Sequence, residues 1–189
     1  VPADRLAGIL PIDLGEGYRL VLRRRDDVAA VHALTMRNLD RLRRWEPWAQ
    51  AEQTPASTRT FTDFVLALHD QGKTVPGLLE HEGDPVGSVS LKIDTTTQIG
   101  ELGYWIDAGH EGRGVVTRAA AALRDAGFER GLARIEIRAA TGNTRSRAVA
   151  ERLGFRLEGV LRQALPVGPQ RLDVALYGRL PTDTERLPG

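Results

Sequence analysis

Residues 18–23, YRLVLR, alternate apolar and polar side chains, the period of a strand with one face buried. Asp26 and Asp27 then suit a helix N-terminus, and Val28, Val31, Leu34 and Thr35 recur at helical spacing, predicting a first helix followed by a short second one over 39–44. Thr54-Pro55-Ala56-Ser57 opens a third helix, with Phe61, Phe64, Val65 and Leu68 as its apolar face and Gly72 near its end. Strand patterns over 74–81 and 85–94 flank the turn residues Glu82-Gly83-Asp84, and another strand, 98–106, follows three threonines. An alanine- and leucine-rich helix begins at Val115, a charged/apolar strand runs over 134–139, and a helix over 145–153 precedes two final strands, 155–162 and 172–179. Pro166-Val167-Gly168-Pro169-Gln170 reads as the loop between those strands. The first seventeen residues, with Pro2, Pro11 and three glycines, read as a lead-in with at most a short edge strand near Ile9, and 181–189 as a mobile tail. Between them, 18–180 forms one domain of the α/β (α+β) class: a mixed, mostly antiparallel twisted sheet of about seven strands with helices on both faces.

The stretch from Gly103 to Glu129 carries the most chemistry: an apolar strand, a polar turn, Gly112-Arg113-Gly114, then a helix. A helix N-terminus presents unpaired N–H groups and the positive end of the helix dipole, and glycines there let a phosphate approach the backbone. A nucleoside triphosphate loop needs Lys-Ser/Thr after its last glycine, and Gly114 is followed by Val115 and Val116. A dinucleotide fingerprint would use Gly112, Gly114 and Glu136, but Thr117 stands where a small third residue is wanted and the turn after Ile106 is too long. An acyl-CoA loop is the third device.

Downstream residues favour that third device. On Gly103-Tyr104-Trp105-Ile106, Glu111-Gly112-Arg113-Gly114-Val115-Val116, Asn143 with Ser146, Leu153-Gly154-Phe155 with Glu158-Gly159, the closing Asp173-Val174-Ala175-Leu176-Tyr177 and, more loosely, Trp45-Glu46-Pro47-Trp48, the chain resembles the GNAT superfamily. These are acetyl-CoA-dependent N-acetyltransferases, and the likeness is greatest to the RimJ/RimL-type branch, whose members acetylate amines including protein N-termini. The resemblance implies that strands 98–106 and 134–139 splay apart to admit pantetheine. It implies acetyl-CoA contacts from Trp105, Ile106, Glu111, Gly112, Arg113, Gly114, Val115, Val116, Thr117, Asn143 and Arg147, with Glu111 adding a negative charge near the phosphates. A backbone amide near Trp105 or Ile106 would polarise the thioester carbonyl, and Ser146 would protonate the departing thiolate, although Asn143 and Ser146 equally suit a helix cap. Trp45, Trp48 and Tyr104 would line the acceptor groove; the tryptophans could instead close a satellite core. Glu101, among apolar and glycine neighbours, is expected either as a partly buried general base with a raised pKa or as an arginine's partner.

Charge and composition narrow the rest. The 189 residues carry 26 basic and 25 acidic side chains, a net charge of +1, so nothing draws the chain globally to nucleic acid or acidic membranes. There is no cysteine, which excludes disulfides, thiolate metal sites and an acyl-cysteine intermediate. The four histidines lack metal-ligand spacing; His110, in the cofactor turn, could touch CoA. No apolar run approaches membrane-spanning length and no signal peptide pattern is visible, so a soluble cytoplasmic transferase is expected. Its partners would be acetyl-CoA and an amine, with no metal and with a homodimer open. A CoA-binding sensor without catalysis is the alternative.

Overall fold

The computed structural model describes residues 8–183. Its centre is an eight-stranded sheet in the order β1-β2-β3-β4-β5-β6-β8-β7. The strands are β1 (Ile12–Gly15), β2 (Tyr18–Leu22), β3 (Thr74–His81), β4 (Asp84–Asp94), β5 (Ile99–Ile106), β6 (Arg134–Ala140), β7 (Arg156–Val167) and β8 (Gln170–Arg179). All neighbours are antiparallel except β5 and β6. The eighth strand is β1, which lies in the segment expected as lead-in, three residues beyond the anticipated edge strand at Ile9. Residues 1–7 and 184–189, which include most of the expected tail, lie outside the described residues.

The splay expected at the centre is present. β5 and β6 pair only from Ile99↔Arg134 to Leu102↔Ile137. Beyond that β5 stays with β4 as far as Gly87↔Ile106, and β6 with β8 as far as Ala140↔Val174. Each strand keeps its outer partner and loses its inner one, so a wedge opens between Gly103–Ile106 and 138–140. The two sides of the wedge remain rigid because the outer ladders continue.

The helices are α1 (Val28–Arg37), α2 (Leu39–Leu42), α3 (Pro55–Asp70), α4 (Val115–Glu129) and α5 (Thr144–Arg152). α4 and α5 bury Val115, Ala119, Leu123, Val149 and Ala150 against Val89, Leu91, Leu102, Ile135 and Ile137. The alternate residues Ser88, Ser90, Lys92 and Glu101 face the side that carries α1, α2 and α3.

Two elements differ from the sequence reading. α3 begins as expected, with a capping box between Thr54 and Ser57, but buries Thr58 and Thr62 while Phe61 and Phe64 are 54% and 58% exposed. Hydrogen bonds explain the inversion. Thr58 and Thr62 donate to the carbonyls of Thr54 and Thr58, and their hydroxyls also meet His32 of α1 (3.3 Å) and the Arg23 Nε–H (2.9 Å). Small, satisfied hydroxyls therefore let α3 pack close to α1, and its aromatic row faces outward. The second difference is the β7–β8 connection, where the expected five-residue loop shrinks to a turn at Gly168-Pro169, with Pro166 and Gln170 in the strands. A bulge in β7 places Gln163 at φ +51, and its N–H donates to Asp173 Oδ1 at 2.8 Å, so Asp173 serves the hairpin.

Candidate active site

On the α4/α5 side, the chain leaves β5 through a short turn, Ala108–His110, capped by Asp107, whose Oδ1 accepts the Gly109 N–H at 2.9 Å. Gly112 and Gly114 both take left-handed backbone conformations, φ +76 and +69. A side chain would be strained at either position. Gly114 caps α4 without any side-chain hydrogen bond, and nothing lies within 4 Å of where a Cβ on Gly112 would stand. The N–H groups opening α4, at Val115, Val116 and Thr117, thus lack a side-chain acceptor and adjoin open space, which fits a diphosphate. The Val115 side chain itself is buried in the core, leaving only its backbone for that task. Arg113 and Arg118 brace the loop by donating to the carbonyls of Gly109 and Arg113. The negative charge anticipated at Glu111 is met by two guanidiniums, Arg41 from α2 and Arg145 from α5.

At the start of α5, Asn143 Oδ1 accepts the Ser146 N–H at 3.2 Å, so the capping role holds. Ser146 also reaches across the wedge. Its hydroxyl donates to the Tyr104 phenol oxygen at 3.3 Å, and the phenol donates to the Ser146 carbonyl at 2.9 Å. Burial pushes the Tyr104 phenol up to about 12, so it stays a neutral donor. Tyr104, expected among the acceptor residues, is therefore joined to Ser146 on the cofactor side. Arg147, expected as a cofactor contact, directs its guanidinium to Tyr177 (2.9 Å), the Thr141 carbonyl (3.2 Å) and Glu151 (3.8 Å). It fastens α5 to β6 and β8. His110 likewise turns inward, its Nδ1 2.8 Å from the buried Tyr18 hydroxyl and its ring against His81. Burial, then His81 and Arg113, lower its pKa.

Strand alternation sets which of the two candidate amides faces the wedge. The Asp107 N–H donates to Val86 of β4 at 2.7 Å, so the Ile106 N–H, one residue earlier, turns toward the wedge while that of Trp105 turns toward β4. The Trp105 side chain packs on Leu39, Leu42 and Ala49 on the opposite face of the sheet.

That opposite face carries Trp45 and Trp48, the tryptophans expected at the acceptor groove. Trp45 lines a cavity of about 860 Å³ between α2 and the β7–β8 hairpin, shared with Arg43, Gln50, Thr141, Gln163 and Asp173. Trp48 is 42% exposed and donates its indole N–H to Glu46 Oε2 at 2.9 Å. Burial pushes the Glu46 carboxyl up, against the opposing pull of Trp48 and Lys92. Sequence reading passed over Glu46; the signal was an acid between two tryptophans and fixed by the following proline. A second cavity, of about 710 Å³, runs under α3 and is lined by Phe61, Phe64, Ser90, Lys92, Glu101 and Arg138.

Glu101 is not enclosed as its sequence neighbours suggest. Gly100 and Leu102 point to the α4 face, and Glu101 lies on the other, its side chain 40% exposed and 3.7 Å from Arg138 Nε. It belongs to a charge ladder in which Glu136 pairs with both Arg138 (3.1 Å) and Arg134 (2.8 Å), and Arg134 continues to Glu158. Among the described residues no cluster of His, Cys, Asp or Glu could hold a metal ion.

A parallel strand pair opened into a wedge, with a glycine-built helix N-terminus beside it, defines an acyl-CoA site, and comparison with known proteins agrees. The acetyltransferase (GNAT) domain family model matches residues 19–156, and the chain belongs to that family. It is 30% identical over 171 residues to the ribosomal-protein-serine acetyltransferase of Escherichia coli (strain K12), covering 89% of this chain and 96% of that protein. It is 34% identical over 166 residues to the putative ribosomal N-acetyltransferase YdaF of Bacillus subtilis (strain 168), covering 84% and 88%. Among solved structures, RimL, the ribosomal L7/L12 alpha-N-protein acetyltransferase in complex with coenzyme A, superimposes with a TM-score of 0.87 at 27% identity, over 90% of this chain and 98% of that one. The chain is an acetyl-CoA-dependent N-acetyltransferase of the ribosomal-protein type. When bound, acetyl-CoA supplies the activated acyl group. With no cysteine in the chain, that group is not carried on an acyl-cysteine.

Proposed function

We propose that the acceptor is the N-terminal α-amine of a protein, reached from the face that carries Trp45 and the β7–β8 hairpin. The observation that carries this reading is the arrangement around the wedge. The cofactor cradle and the Tyr104–Ser146 pair lie on one side of the sheet, and the open cavity at Trp45 lies on the other, next to the end of β6. The names of both curated relatives, ribosomal acetyltransferases, support a protein acceptor. Under this reading the enzyme works in the cytoplasm on newly made proteins.

Attack forms the N–C bond at the thioester carbonyl, whose oxygen gains charge opposite the Ile106 N–H. Collapse breaks the C–S bond. The Ser146 hydroxyl, aligned by Tyr104, supplies the proton that the sulfur takes up. Arg41 and Arg145, held at Glu111, lie beside the phosphate cradle and add positive charge there. An α-amine, with a pKa of about 7.7 to 8.0, is roughly one-quarter to two-fifths neutral near pH 7.5, whereas a lysine at about 10.4 is almost wholly charged. An α-amine therefore needs only modest base assistance.

The test is thiol release from acetyl-CoA with two tetrapeptide amides, one with a free N-terminal serine and one with a blocked N-terminus and an internal lysine, the product mapped by mass spectrometry. Acetylation of the seryl α-amine is expected. Preferential acetylation of the lysine would overturn the α-amine reading.

A further inference from the structure

The proton that leaves the amine needs an acceptor on the Trp45 side of the sheet, where Asp173 already accepts the Gln163 N–H within the β7–β8 hairpin. Glu46 is held by its backbone at both ends: its N–H donates to Leu42 at the end of α2 (2.8 Å), and its carbonyl accepts from Ala49 (3.1 Å). Pro47 fixes the following φ. Ala49, fully buried, packs with Leu39 and Leu42 against Trp105, so the turn carrying Glu46 closes over the acceptor face of the splayed strand. The carboxylate's partner is the Trp48 indole N–H at 2.9 Å. Lys92 of β4 is the cation that acts on it, without forming an ion pair. The other acids near the wedge are committed: Glu101 to Arg138, Glu136 to Arg134 and Arg138, Glu111 to Arg41 and Arg145, and Asp107 to Arg37. A half-buried carboxylate whose one hydrogen-bond donor is the neutral Trp48 indole, and which forms no ion pair, attracts an ammonium group.

We propose that Glu46 is the carboxylate that receives the acceptor amine, holding the incoming ammonium beside Trp48 and taking its proton before attack. The amine so freed forms the N–C bond, the C–S electron pair leaves on sulfur, and the amine's second proton replaces the one that Ser146 gives to the thiolate. In sum, R–NH3+ and acetyl-CoA become R–NH–COCH3, CoA–SH and one proton, which Glu46 passes to solvent. Burial suits this role by raising the carboxyl toward the working pH.

This deepens the amine-acceptor reading above and is tested on the same seryl tetrapeptide amide. Glu46→Gln keeps an acceptor for the Trp48 N–H, so the fold is retained. It should lower kcat/KM for the peptide about a hundredfold, leave the calorimetric Kd for CoA within about twofold, and remove the acidic limb of the kcat/KM–pH profile. Trp48→Phe deletes the donor that lowers the carboxyl pKa and should move that limb to higher pH; Glu46→Asp should recover part of the rate. The proposal is overturned if Glu46→Gln retains kcat/KM within about twofold, if its acidic limb persists, or if the limb disappears in Glu101→Gln instead. If the wild-type enzyme acetylates the lysine peptide and not the seryl one, the α-amine reading fails while the same variants decide Glu46 on the lysine substrate.

Discussion

Ser146 and Tyr104 are hydrogen-bonded from two elements that share no sequence neighbourhood, and the proposed mechanism uses them as one proton-donating unit. A serine hydroxyl alone is a poor acid. Set against a phenol that burial holds neutral, the Ser146 hydroxyl is fixed in place by donating to the Tyr104 oxygen. Ser146→Ala should reduce kcat by roughly tenfold to a hundredfold, with little change in CoA affinity. Tyr104→Phe should cost less, because the phenol orients the serine without being the first donor. Stopped-flow thiol release with calorimetric CoA titration separates the two effects; a large loss of CoA affinity with unchanged kcat in Ser146→Ala would make the serine only a helix cap. The Asn143–Ser146 cap was legible because the residue types that open a helix stand at the right spacing. The bond to Tyr104 was not legible, since it depends on α5 returning to β5 across the wedge.

Elements are joined at this site by the turn between β5 and α4. Asn38, buried between α1 and α2, donates to Asp107 Oδ2 at 2.8 Å and to Leu34, while its own carbonyl accepts from Arg41 and from the Ala108 N–H. Arg37 adds a further bond to Asp107 at 2.8 Å. Burial alone would push the Asp107 carboxyl up, but Arg37, Asn38 and the Gly109 N–H together bring it down to about 2. In an unfolded chain the same group titrates near 3.9. The native state therefore binds fewer protons there, and the stabilisation is complete above the unfolded value and lost as pH falls toward 2. Urea midpoints of the wild type and Asp107→Asn should differ most at pH 6 to 7 and converge below pH 3; a gap that is constant with pH would assign the loss to shape and not to charge. Helix and strand positions were largely readable from periodicity, but two orientations were not. α3 turns threonines inward because back-bonding to the preceding carbonyls satisfies them, which hydrophobicity does not report. Glu101 escapes its apolar neighbours because successive strand residues face opposite ways.

At the scale of the whole molecule, the sheet separates two tasks. One face carries α4, α5 and the glycine turn; the other carries α1, α2, Trp45 and Trp105; under the proposed function the thioester crosses between them at the wedge. The glycine turn before α4 was legible because its left-handed backbone favours glycine at Gly112 and Gly114. The acceptor face was less so, since Glu46, Trp45 and the β7–β8 hairpin come together only when the sheet is assembled. The most direct measurement is a crystal structure of the enzyme with CoA. Its diphosphate should lie on the N–H groups opening α4, with pantetheine between β5 and β6 and sulfur within hydrogen-bonding reach of the Tyr104–Ser146 pair. CoA bound instead in the cavity under Phe61 and Phe64, with the wedge unfilled, would contradict this division of the sheet.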